Sequence, residues 1–110
     1  MPYISEPLRL CQQKITSTTV TVYTVPATAK CVLTSFFVAL SSATSVSIYV
    51  VPAGTTLDAT IHLVSYLDTT ATYNRRSQLG VVLEPGDTIQ VTVAGGSAIV
   101  YLSGAKFTSV

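Results

Sequence analysis

The chain alternates between branched apolar and hydroxyl side chains in short runs, each closed by proline or glycine. Residues 18–25, Thr-Thr-Val-Thr-Val-Tyr-Thr-Val, place Val20 and Val22 on one side and Thr19 and Thr21 on the other. That two-residue period is the mark of a half-buried strand. Residues 45–51 repeat it, with Val46, Ile48 and Val50 opposite Ser45, Ser47 and Tyr49. Residues 88–93 do the same, with Ile89, Val91 and Val93 predicted inward. Weaker or shorter strands are expected at 8–16, 60–67 and 79–84, and a last one from Ala98 to about Phe107. Residues 30–40, Lys-Cys-Val-Leu-Thr-Ser-Phe-Phe-Val-Ala-Leu, are apolar on both faces. Such a strand is expected to be covered on both sides, as is the last one, where Ile99 and Tyr101 oppose Val100 and Leu102.

The breaks between runs carry turn chemistry. Pro26 ends one run, because proline has no N–H to give a ladder. Pro52-Ala53-Gly54 and Pro85-Gly86-Asp87 read as turns. Ala94-Gly95-Gly96-Ser97 reads as a hairpin turn, since paired glycines permit positive φ. Residues 68–78 are polar and read as a long crossover loop carrying Tyr73, Asn74, Arg75 and Arg76. Eight or nine strands with no helical period between them predict an all-β single domain, an antiparallel β-sandwich or jelly roll of about eight strands. Residues 1–7 hold Pro2 and Pro7 around Tyr3 and Ile4 and read as an arm outside the ladder, leaving 8–110 as the sandwich. Tyr3, Ile4, Tyr73, Arg75 and Arg76 are the candidate interaction residues. Tyr and Arg are favoured anchors at interfaces, and the alternatives are a frayed terminus and a solvated loop tip.

Composition sharpens this. Val, Ile and Thr make up 38 of the 110 residues, types that pack well on a pleated sheet. Only 10% of residues are charged, against about 25% in ordinary soluble domains. Polarity comes from 17 Thr and 12 Ser instead. A surface so poor in charge is expected to be covered by copies of itself or by a partner, the alternative being a compact β-domain that tolerates a neutral surface. A net charge of +1 gives no footprint for nucleic acid, and no apolar run approaches a membrane span. The N-terminus has no basic and apolar signal segments, so synthesis in the cytosol is expected. Cys11 and Cys31 are expected to be free, buried thiols, the alternative being a bridge across two strands.

No catalytic, cofactor-binding or metal-binding set emerges. His62 is the single histidine, and with two separated cysteines it does not make up a ligand set. Asp58 with Asp68, or Glu84 with Asp87, could meet at one end of a sandwich as paired carboxylates, but acids flanking loops commonly solvate turns. No phosphate loop, nucleophile elbow or dinucleotide fingerprint is present. Leu83-Glu84-Pro85-Gly86-Asp87 resembles the proline-glycine turn of cupins, without the clustered histidines that cupin chemistry needs.

Three longer stretches resemble small virion proteins of tailed bacteriophages. They are Tyr-Thr-Val-Pro-Ala-Thr-Ala-Lys with Val-Leu-Thr-Ser-Phe-Phe-Val-Ala, Ser-Val-Ser-Ile-Tyr-Val-Val-Pro-Ala-Gly, and Gly-Val-Val-Leu-Glu-Pro-Gly-Asp-Thr-Ile-Gln-Val. The resemblance implies a β-sandwich head or tail component. Its leading form is a capsid decoration, or cement, protein on the exterior of the virion, made in the host cytoplasm. Such a protein bridges major capsid protein subunits and associates with itself, most simply as a homodimer and next as a trimer. The alternative is a tail- or fibre-associated carbohydrate- or receptor-binding module, with Tyr49, Tyr66, Tyr73 or Tyr101 as stacking platforms; the absence of Trp counts against it. A small hydrolase ranks last.

Overall fold

The computed structural model describes residues 3–16, 18–40, 45–58, 60–68 and 75–109. Among them are eight strands: β1 (Tyr3–Thr16), β2 (Thr19–Thr24), β3 (Ala29–Leu40), β4 (Ser45–Val51), β5 (Leu63–Asp68), β6 (Arg75–Leu83), β7 (Thr88–Ala94) and β8 (Ser97–Ser109). They form two four-stranded sheets, ordered β1-β8-β3-β6 and β2-β7-β4-β5, with every pair antiparallel. The strands of the first are 9 to 14 residues long and those of the second 6 or 7; we call them the long and short sheets. Two packed four-stranded sheets in this order are a jelly roll, as the strand spacing predicted. Only β4 and β5 are consecutive strands paired in one sheet. The turn at Gly95 and Gly96, both at positive φ, therefore carries the chain from the short sheet to the long one and does not close a hairpin.

The core lies between the sheets. Val46 and Ile48 of β4 and Ile89, Val91 and Val93 of β7 are fully buried against Leu33, Phe36 and Val38 of β3 and Ala98, Val100 and Leu102 of β8. The chain's accessible surface is 5943 Å², close to the ~5,800 Å² expected of a free-standing protein of its mass. The core is thus complete within one chain.

Three further expectations change. Tyr3–Pro7, read as an arm, form the first half of β1 and pair with Ala105–Ser109 of β8. Pro7 is tolerated because β1 is an edge strand, where a missing N–H need not interrupt a ladder on both sides. Arg75 and Arg76, read as a loop tip, begin β6 opposite Val38 and Phe37 of β3. Tyr73 lies outside the described residues.

The third change concerns residues 30–40. The register slips between Leu33 and Ser35, so exposed Thr34 is an extra residue on β3. A one-residue bulge exchanges the two faces of a strand. Cys31 and Leu33 before it, and Phe36 and Val38 after it, therefore all point into the same core. What reads as apolarity on two faces is largely one buried face with a phase change. Hydroxyls fasten the bulge: Thr34 Oγ1 donates to Ser103 O at 3.2 Å, and Ser35 Oγ meets Ser103 Oγ at 2.6 Å. β1 slips at the same level, around Leu10, and β6 takes three steps from Gln78 to Val81 against two on β3. β8 runs through this line unbroken at Ser103 and Gly104.

Candidate interaction surface

The bulges decide which side chains the long sheet turns outward. On β8 the outward set is Ile99, Tyr101, Ser103, Ala105 and Phe107, because Ala98, Val100 and Leu102 point inward. Register carries this set across the sheet. Pro7, Ala105, Val32 and Val82 stand in one row, and Ser5, Phe107 and Lys30 in the next. Val82 is 61% exposed and Ile99 45%. Lys30, Cys31, Val32, Val82 and Phe107 line an open groove of about 260 Å³ there. Four strands of these lengths present a face of roughly 750 Å² at about 3.3 Å per residue and ~4.8 Å between strands. A standard protein interface takes about 800 Å² from each partner.

The outer face of the short sheet is different in kind. Thr19 and Thr92 share a hydroxyl contact at 2.8 Å, and Gln90 Nε2 donates to Thr88 Oγ1 at 3.2 Å. It is a hydroxyl surface, and Ser47 and Tyr49 on it are buried. Burial removes Tyr49 as a stacking platform. Tyr101 is half-buried on the long sheet.

Charge is divided between the layers. All six Lys and Arg residues lie on the long sheet: Arg9 and Lys14 on β1, Lys30 on β3, Arg75 and Arg76 on β6, and Lys106 on β8. With Glu6 this sheet has a net charge of +5. The short sheet and the connections hold Asp58, Asp68, Glu84 and Asp87 with no Lys or Arg, a net charge of −4.

The acids proposed as pairs have other tasks. Both carboxylate oxygens of Asp87 accept backbone N–H groups, from Ala53 at 3.0 Å and Glu84 at 2.9 Å, tying the β6–β7 turn to the start of the β4–β5 connection. Glu84 pairs with Lys30 at 3.5 Å. Asp58 and Asp68 do not meet: Asp68 opposes Ser45 at one end of β4, whereas Asp58 belongs to the connection at the other end. Asp58 accepts from Thr60 N at 2.9 Å and Thr60 Oγ1 at 2.6 Å, and these bonds hold its carboxyl below the usual range. His62 Nδ1 accepts from Asp58 N at 2.9 Å, so this histidine closes a local turn. Among the described residues no three His, Cys, Asp or Glu gather as a metal site. No helix of the described residues is long and apolar enough to cross a membrane.

Both cysteines are free and buried, as the sequence suggested. Cys11 opposes Leu102 and Cys31 opposes Lys106, four residues along β8. At about 3.3 Å per residue they are roughly 13 Å apart along that strand, beyond reach of a bridge. Burial raises the Cys11 thiol, and the backbone bond with Gln13 only partly opposes this. Burial also raises the Tyr23 phenol, whose hydroxyl contacts Cys31 Sγ at 3.5 Å.

No protein-family model matches the chain, and no curated protein sequence does. Solved structures share its fold. One is a subunit of the disulfide-linked pili formed by Bacillus endospore appendages, 12% identical, with a TM-score of 0.61 over 98% of this chain and 89% of that one. Another is a chain of infectious bursal disease virus, Gx strain, 11% identical, with a TM-score of 0.56 over 96% of this chain and 32% of the viral one. This jelly roll therefore occurs in proteins of assembled structures, both a pilus and a virus.

Proposed function

We propose that the chain is a non-enzymatic structural subunit of a virion, a decoration or cement protein that binds the outside of the head and bridges major capsid protein subunits. The observation that carries the reading is the outer face of the long sheet. It is interface-sized and holds exposed Val82 and Ile99 beside half-buried Tyr101 and Phe107, on a chain whose core needs no further cover. Burying such a face would contribute about 25 cal/mol per Å² of apolar area, which reinforces a shell without any chemistry. The fold likeness to a viral chain and a pilus subunit and the resemblance of the turn-and-strand pattern to phage virion proteins support the same reading.

The test is to count copies and remove them. Particles from which the protein has been genetically deleted should assemble but break at lower temperature or osmotic stress, and purified protein should restore them at many copies per head. A handful of copies confined to the tail, or deleted particles as robust as complete ones, would exclude the head role.

A further inference from the structure

The four large hydrophobic side chains most exposed among the described residues lie at three places. Val82, in the row of Val32 and Ala105, and Ile99, six positions along β8, stand about 20 Å apart on the long sheet. Ile61 and Leu63, 73% and 47% exposed, lie together at the β4–β5 connection and the start of β5. The long sheet carries exposed Arg9, Lys14 and Lys30, the last already paired with Glu84. Asp58 stands three residues before Ile61, so the charge at that patch is opposite to that of the long sheet.

This division bears on how two copies can meet. A twofold pairing of long sheets would bring the Arg9, Lys14 and Lys30 sets of two copies onto one interface, and like charges across an interface oppose association. Placing the long sheet of one copy against the β4–β5 side of the next opposes cations to Asp58 instead. The groove of about 260 Å³ beside Val82 is smaller than the usual ~300–1,000 Å³ of a small-molecule site and of a size for aliphatic side chains.

We infer that the chain associates with itself head to tail: Ile61 and Leu63 of one copy seat on the Val32–Val82–Phe107 groove of the next, with Asp58 facing the basic long sheet. The closed dimer expected from symmetry alone is replaced by a heterologous contact, which either closes into a ring, a trimer being the smallest, or continues as a filament. The inference uses only the Val82 end of the long sheet, six positions along β8 from Ile99, and leaves the Ile99 end to the particle, so it stands apart from the particle's identity.

Sedimentation velocity on the full chain tests it, with Ile61→Arg and Val82→Arg as single variants, both at exposed positions. The wild type should exceed twice the monomer mass as concentration rises and should fall back in high salt. Each variant alone, with an unchanged melting temperature, should stay monomeric. A mixture of the two retains one intact contact and should form a one-to-one pair and nothing larger. A wild type that is monomeric at every concentration, a discrete dimer that either variant leaves intact, or a mixture that stays monomeric would each overturn the inference.

Discussion

At the scale of single residues, Gly104 is the most constrained position. A Cβ there would sit 2.0 Å from the carbonyl oxygen of Val32, inside backbone that cannot step aside. Gly104→Ala is expected to cost at least the ~1–3 kcal/mol of an overpacked site, read as a fall in urea midpoint with unchanged slope. An unchanged midpoint would mean that β8 and β3 can separate at no cost. Asp87→Ala removes two charge-assisted bonds and is expected to cost about 1.5–3 kcal/mol, read as a fall in urea midpoint. The thiols are placed for packing. Ellman's reagent should find neither Cys11 nor Cys31 in the native protein and both after denaturation. Rapid native labelling would contradict their burial. Cys11 and Tyr23 both have raised values, so the fold prefers their neutral forms. Above the ordinary thiol value of about 8.5 the unfolded chain ionises first, so this stability is intact below that pH and is lost as pH rises beyond it. Thermal melts should be flat near neutrality and decline in alkali, and Cys11→Val should flatten the decline.

At the scale of elements, legibility followed local chemistry. Runs with strict alternation were placed well: β4 spans Ser45–Val51 as read, and Ile89, Val91 and Val93 are all buried as predicted. The errors lie where a strand's fate depends on its neighbours. Pro7 looks like a ladder breaker until β1 is known to be an edge. Arg75 and Arg76 look like loop until β3 supplies a partner strand. The phase change at Thr34 is invisible in sequence because threonine suits a regular strand as well as a bulge. Without that phase change, the outward face of the long sheet could not be assigned. The turn roles of Asp58 and Asp87 were legible from local chemistry, whereas the separation of Asp58 from Asp68 by the length of β4 was not. Leu33→Ala, a fully buried residue beside the bulge, should cost about 2–5 kcal/mol, whereas Thr34→Ala should change stability by little more than its single hydroxyl bond. Phe36→Ala, an odd number of positions from Leu33 yet in the same core, should cost about 3–5 kcal/mol, and a near-neutral result would restore regular alternation and contradict the bulge.

At the scale of the whole molecule, low charge, a complete core and an uncovered apolar sheet belong together. A sandwich that buries its own core has no structural need for Ile99, Tyr101, Val82 and Phe107 on its outer face. Covering that face with protein gives those residues a use, and the exposed Arg9, Lys14 and Lys30 of the same sheet give the covering a direction. Neither property requires a reacting group. The most direct measurement is the binding of the purified chain to heads that lack it, wild type against Ile99→Glu. Ile99 is 45% exposed on the outward face of β8, so the variant should melt close to the wild type. The account predicts that Ile99→Glu loses at least tenfold in affinity, since it forfeits the ~1.5–3 kcal/mol of burying an isoleucine, against the ~1.4 kcal/mol that a factor of ten represents. Equal binding by the two proteins would contradict it.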